Sequence, residues 1–169
     1  MGIIKDRFKV KADAVAAEIK EILKEHGNKK IGEVQLSQIY QGMRGITGLV
    51  TETSLLDAQD GIRFRGYSIP ELQQRLPKAD GGSEPLPEGL FYLMLVGDLP
   101  TEEDVQHLTS VWQRRSHVPN HVFATIEALP VHTHPMTQFV VGVMALQTES
   151  QFAKRYAAGM SKKDYWEAG

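Results

Sequence analysis

The stretch Met43–Leu99 reads MRGITGLVTETSLLDAQDGIRFRGYSIPELQQRLPKADGGSEPLPEGLFYLMLVGDL and alternates turn signals with short apolar runs. Within it, two runs between Leu49 and Phe64 flank Asp57–Gly61, a connection of five residues that ends in glycine. A connection of this kind between short apolar runs is typical of a hairpin with a bulged loop. The sequence therefore predicts a small β-hairpin near residues 49–64.

Two helix patterns follow the hairpin. The tetrapeptide SIPE at Ser68–Glu71 has the form of a capping box, with Ser68 as the N-cap and proline in the first turn. The helix that it opens should end near Leu76. After a loop rich in glycine and proline, the nearly all-apolar run Glu88–Val96 predicts a second helix that is buried on most sides.

Helical patterns also dominate outside this stretch. Apolar residues recur at steps of three and four from Phe8 to Leu23, and Gly27 provides a left-handed cap, so we expect an amphipathic helix within residues 1–30. Partial alternation of apolar and polar residues in Ile31–Ile39 favours a short strand. Capping residues or prolines indicate further helix starts at Thr101, Pro119, Pro135, Ser150 and Ser161. The predicted fold class is mainly α, with an N-terminal helix over 1–30 and a helical domain over 31–169.

Composition excludes several classes of function. The chain has 169 residues, of which 41% are hydrophobic and 24% charged, as in ordinary soluble globular proteins. A net charge of −2 gives no reason to expect a nucleic-acid partner, and no apolar run is long enough to predict a membrane span. The absence of cysteine excludes disulfides, thiolate catalysis and cysteine-bound metals. The N-terminus shows no clear transit peptide or secretory signal.

Arginine is the residue type that most favours a binding site. Guanidinium groups grasp phosphate or carboxylate in a bidentate manner, and neighbouring glycines let a ligand approach the backbone. Four arginines lie in or next to the glycine-punctuated stretch: Arg44, Arg63, Arg65 and Arg75. Arg44 is the strongest candidate because a turn between Met43 and Gly45 would aim its side chain into a groove. The alternative is that these arginines pair with Asp57, Asp60 or Glu71 and hold the hairpin to the following helix.

The histidines and carboxylates do not form a convincing catalytic or metal-binding pattern. His132 and His134 would lie on one side of a strand, but prolines flank the pair and no third ligand is near in sequence. His117 and His121 would share a helix face if Pro119 did not separate them. We therefore interpret the histidines as surface or hydrogen-bonded residues, and we expect no metal site.

Several ordered blocks of the chain resemble the N-terminal part of citrate synthases of the eukaryotic mitochondrial type. The blocks are Gly42–Asp57, Gly61–Ala79, Glu84–Glu103, His134–Ser150 and Ala153–Glu167. The resemblance implies a citrate-synthase-like helical fold, with residues 31–169 as the N-terminal portion of the large domain. It also implies a homodimer in the mitochondrial matrix that serves the tricarboxylic acid cycle. That enzyme condenses acetyl-CoA with oxaloacetate and water to give citrate and CoA.

The same resemblance limits what this chain is expected to do by itself. The catalytic motifs and the small domain of the family have no counterpart here, so we expect no catalytic residue, no cofactor bound by the chain alone and no activity of the isolated chain. Arg44 matches an arginine that contacts CoA phosphate groups in the family. The truncated face, which includes Tyr165 and Trp166, should be covered by a second copy or a partner subunit. The alternative is a non-catalytic structural or assembly subunit, derived from citrate synthase, within a larger complex.

Overall fold

The computed structural model describes residues 2–168, and Met1 and Gly169 lie outside the described part. Helices dominate, as predicted, and one small antiparallel sheet lies among them. The elements are α1 (Gly2–His26), α2 (Leu36–Tyr40), β1 (Ser54–Asp57), β2 (Gly61–Phe64), β3 (Tyr67–Ser68), α3 (Ile69–Arg75), α4 (Pro87–Val96), α5 (Glu102–Arg114), α6 (Asn120–Glu127), α7 (Pro135–Ala145), α8 (Gln151–Ala157) and α9 (Tyr165–Ala168). Short 3₁₀ turns occupy Leu146–Glu149 and Lys162–Asp164. The chain divides after Val111 into two compact units.

The predicted hairpin is present and is formed by β1 and β2. The Asp57 carboxylate accepts hydrogen bonds from the backbone N–H groups of Gln59, at 2.7 Å, and Asp60, at 2.9 Å. Gly61 then adopts a φ of 80°, which closes the turn. A third strand, Tyr67–Ser68, adds to β2, and its two residues are too few to show a period in the sequence.

The cap of α3 follows the predicted pattern. The Ser68 hydroxyl accepts from the Glu71 backbone N–H at 3.4 Å, and the Glu71 carboxylate accepts from the Ser68 backbone N–H at 2.8 Å. This reciprocal pair fixes the start of the helix directly after the sheet. The buried core of the first unit then joins Leu72 of α3, and Leu76 directly after it, to Leu93 of α4.

The prediction that α4 is buried on most sides is only partly correct. Tyr92, Leu93 and Val96 are buried, whereas Phe91 and Leu95 face outward on the opposite side. An all-apolar run has no polar face that would indicate which side stays open, so the sequence pattern could not locate it.

The N-terminal half of α1 packs on α4. Ile4 is buried, and Arg7 forms an ion pair with Asp104 at 2.7 Å while also hydrogen-bonding the Tyr92 hydroxyl. Lys11 pairs with Asp98 at 2.9 Å. The helix predicted within residues 1–30 is therefore present, and the assignment of residues 31–169 to a partial large domain remains a prediction.

The strand predicted over Ile31–Ile39 is wrong. Residues 31–35 belong to no helix or strand, and Leu36–Tyr40 form the short helix α2. The physical reason is local, because the Gln38 side chain accepts a hydrogen bond from the Gln35 backbone at 2.9 Å and caps the helix start. The alternation of apolar and polar residues, which favoured a strand, is weak in this segment. No strand in the described part of the chain pairs with it.

The second unit is built around the pair α6 and α7. Gly142 lies where the two helices meet, and a Cβ at this position would come within 2.9 Å of the Ile126 side chain. The N-terminal side of α9 packs on α8 through rings, since Tyr165 makes edge contacts with Phe152 and Tyr156 at centroid distances of 5.4 and 6.0 Å.

Candidate functional site

The turn after α2 determines how Arg44 is presented. Gly42, Met43 and Gly45 have φ values of 73°, 62° and 72°, so left-handed residues flank Arg44 on both sides. Glycine adopts this conformation freely, whereas at Met43 it costs roughly 1 kcal/mol. The sharp turn that glycine indicated in the sequence is therefore present.

One residue of α2 fastens this turn. The Gln38 side-chain amide donates to the Arg44 carbonyl at 3.4 Å, and the Gln38 backbone carbonyl accepts from the Met43 N–H at 2.8 Å. With the bond from Gln35, Gln38 thus connects the start of α2 to the turn that carries Arg44. Gln38 could not be predicted as a site residue, because nothing in its local sequence pattern distinguishes it from the other glutamines nearby.

The Arg44 side chain is exposed to solvent. Within residues 2–168, no carboxylate lies within ion-pairing distance of its guanidinium, and none of its side-chain nitrogens donates to a protein acceptor. All of its donors therefore remain for an anionic ligand.

The other three candidate arginines serve the fold. Arg63 lies 3.9 Å from the Glu71 carboxylate and donates to the Gly66 carbonyl at 3.2 Å, which joins the hairpin to α3. Arg65 donates through Nη2 to the Met94 carbonyl at 2.7 Å. These contacts confirm the alternative reading of structural pairing for Arg63, with Glu71 as its partner.

Other charged groups of the hairpin and α3 also have contacts within the first unit. The Arg75 guanidinium stacks over the Tyr67 ring at 5.3 Å from its centroid. Among residues 2–168, no arginine lies within ion-pairing distance of Asp57; its Oδ1 accepts from the N–H groups of Asp60 and Gln59, which lower its pKa. The pKa of Glu71 is also below its ordinary value, mainly through the Ser68 N–H and hydroxyl, with smaller effects of the arginine charges.

The segment that carries Arg44 is apolar and open. Tyr40 is 84% exposed and Met43 is 61% exposed, although both are large hydrophobic side chains. The same holds for several of their neighbours: Leu36, Ile39, Leu49 and Val50. Exposed apolar side chains on one continuous segment are typical of a surface that contacts another polypeptide.

Two of the histidines that the sequence offered as possible metal ligands make other contacts. His134 caps α7, since its Nδ1 accepts from the Met136 backbone N–H at 3.2 Å. His121 lies with Nε2 3.2 Å from both the Ala145 carbonyl and the Thr148 hydroxyl. In the part of the chain that the structure describes, no three histidine or carboxylate side chains are grouped as metal ligands would be. None of the helices described there is both long and apolar enough to cross a bilayer.

Comparison with known proteins identifies the family to which the chain belongs. Residues 42–168 match the family model described as "Citrate synthase, C-terminal domain". The mitochondrial citrate synthase of Saccharomyces cerevisiae is 54% identical over 163 residues, which is 96% of this chain and 34% of that protein. The chain therefore belongs to the citrate synthase family, as the sequence resemblance predicted.

Two further relatives show the range of the family at similar identity. The peroxisomal citrate synthase of Saccharomyces cerevisiae is 50% identical over 163 residues, covering 96% of this chain and 35% of that protein. The mitochondrial 2-methylcitrate synthase of Yarrowia lipolytica is 51% identical over 164 residues, covering 97% and 35%. The chain spans about a third of the length of the curated relatives that it matches.

Proposed function

We propose that this sequence works as the N-terminal part of a citrate synthase, which joins acetyl-CoA, oxaloacetate and water into citrate and CoA. The catalytic residues would lie outside residues 1–169. Identity of 54% across 96% of the chain supports this assignment, because it extends over both compact units. The names of several relatives include the word mitochondrial, which favours a mitochondrial location. A place in the matrix and in the tricarboxylic acid cycle is part of the same proposal.

Within this enzyme, Arg44 would contact the phosphate groups of CoA. The observation that carries this proposal is its exposed guanidinium, which lacks any protein acceptor among residues 2–168 and projects from a left-handed turn. Phosphate is the anion that a free guanidinium binds best, since two parallel N–H groups match two phosphate oxygens.

Kinetics of the full-length enzyme that contains this sequence test the role of Arg44. We expect Arg44→Ala to raise KM for acetyl-CoA about tenfold with little change in kcat, because a lost charge-assisted hydrogen bond costs about 1.5 kcal/mol. Arg115→Ala is the matched control, since Arg115 is also exposed. An unchanged KM in Arg44→Ala would disprove the contact.

A partner surface is the second element of the proposed function. On α7, exposed apolar side chains recur with the spacing of one helical stripe: Met136, Phe139, Val140, Val143 and Met144. We expect a second copy of the chain, as in a homodimer, or a partner subunit to cover this stripe. Phe139→Asp should then weaken assembly, whereas Gln113→Asp, an exposed change on α5 and outside the stripe, should not. Sedimentation velocity measures both.

The same stripe also favours the alternative function, a non-catalytic structural or assembly subunit. The two functions differ in one measurement on the native protein isolated with its partners. Release of CoA from acetyl-CoA and oxaloacetate supports the enzyme. A stable assembly that contains this chain and lacks turnover supports the structural subunit.

A further inference from the structure

The side chain of Gln38 both accepts and donates a hydrogen bond. Its carbonyl oxygen accepts from the Gln35 backbone N–H at 2.9 Å, while its amide nitrogen donates to the Arg44 carbonyl at 3.4 Å. An amide supplies an acceptor and a donor on two neighbouring atoms at the end of one side chain, as these two hydrogen bonds require. The amide also lies against Gly45, where a Cβ would be 3.6 Å from Nε2.

These hydrogen bonds act on a turn that packing does not hold. Tyr40 and Met43 are mostly exposed, and Met43 has a left-handed φ of 62° that methionine rarely adopts. The bonds that stabilise the turn are therefore backbone bonds within α2 and the turn, together with those of the Gln38 side chain. Because the Gln38 amide binds the carbonyl of Arg44 itself, it fixes the backbone from which the guanidinium projects.

We propose that Gln38 is a positioning residue that orients Arg44 for phosphate binding. The proposal rests on the contact between Arg44 and CoA given above. A side chain held in place before the ligand arrives loses less conformational freedom on binding, so its loss should weaken acetyl-CoA binding without changing the chemical step.

The test uses steady-state kinetics of the full-length citrate synthase that contains this sequence. Gln38→Met keeps the length of the side chain and removes both hydrogen bonds, and Gln38→Asn keeps the amide but shortens its reach. We expect Gln38→Met to raise KM for acetyl-CoA about threefold to fivefold, with kcat changed less than about twofold. Gln41→Met is the matched control, because Gln41 is a nearby exposed glutamine whose contacts are made by its backbone. Gln38→Asn should resemble Gln38→Met.

A double-mutant comparison with Arg44→Ala distinguishes a positioning role of Gln38 from a general loss of structure. In the Arg44→Ala background, Gln38→Met should leave KM unchanged, since no guanidinium remains to be oriented. An equal rise in KM in both backgrounds would overturn the proposal and indicate a merely structural role. If Arg44→Ala raises KM but Gln38→Met does not, the positioning role fails while the proposed function stands. If Arg44→Ala has no effect, the proposed contact between Arg44 and CoA fails, and the role of Gln38 fails with it.

Discussion

At the scale of single residues, the four candidate arginines between Met43 and Leu99 differ in whether they have a partner within the described chain. Arg65 is the clearest scaffold residue, since its Nε and Nη2 donate to the Met94 carbonyl at 3.2 and 2.7 Å. Met94 lies in the last turn of α4, where backbone carbonyls have no partner within the helix. The guanidinium thus connects the end of the hairpin to the end of α4.

We expect Arg65→Met to lower the free energy of unfolding by about 1–2 kcal/mol, because it removes a charged donor from a partly buried carbonyl. Urea denaturation followed by circular dichroism measures the loss. Arg115→Met is the control and should leave the midpoint within error. An identical midpoint for Arg65→Met and the unmodified protein would contradict the scaffold role.

At the scale of elements, the helix starts were predictable and several other features were not. The α3 cap depends on residues three apart, and the proline of α7 lies at its first position, so local sequence contains the signal. The open side of α4 and the use of Gln38 depend on neighbours that only the fold brings together. The glycines next to Arg44 identified it as a candidate, but the sequence could not show that no carboxylate within residues 2–168 pairs with it.

The attachment of α1 to the start of α5 gives a prediction about pH. Burial raises the pKa of Asp104, but hydrogen bonds from the Thr101 N–H and hydroxyl and from Arg7 outweigh it, so the pKa lies below its ordinary value. A carboxylate with a lowered pKa stabilises the fold above the pKa of the unfolded chain, and this contribution disappears as pH falls through the folded pKa. Asp104→Asn should therefore destabilise the protein at pH 7, and the difference should shrink below about pH 4.

Thermal unfolding of both proteins at a series of pH values measures this difference. Asp164→Asn is a suitable control, because Asp164 is exposed and lies in the second unit. A difference between Asp104→Asn and the unmodified protein that stays constant from pH 7 to pH 3 would contradict the prediction.

The contact between α6 and α7 gives a second prediction at this scale. Alanine favours a helix over glycine by about 1 kcal/mol, but a Cβ at Gly142 would lie 2.9 Å from Ile126 Cδ1. Gly142→Ala should therefore be close to neutral alone and should stabilise by about 1 kcal/mol in the Ile126→Val background, where Cδ1 is absent. A double-mutant cycle in urea measures this coupling, and simple additivity of the two changes would rule out the close contact.

At the scale of the whole molecule, the features on which the proposed function rests lie in both compact units. The first unit holds the Arg44 guanidinium, which has no protein acceptor among residues 2–168, and the second holds the apolar stripe of α7. The histidines His121 and His134 are engaged in contacts that order helices. These features support the proposal that residues 1–169 supply part of a citrate synthase rather than its reactive centre.

We accordingly expect the isolated 169-residue chain to release no CoA from acetyl-CoA in the presence of oxaloacetate. A thiol-reactive dye follows CoA release, and the chain itself contains no cysteine that would react with the dye. The full-length enzyme with the same sequence is the positive control. A rate above the background of the uncatalysed reaction would contradict the expectation.

The attachment of α1 has a mechanical consequence. The helix has 25 residues, and, among its described residues, those that are not exposed lie in its N-terminal part, from Ile4 to Val15, where it packs on the rest of the first unit. Every residue from Ala16 to His26 is exposed. Packing therefore holds only the N-terminal part of α1. The backbone amide protons of this helix should exchange with solvent at rates that increase toward His26.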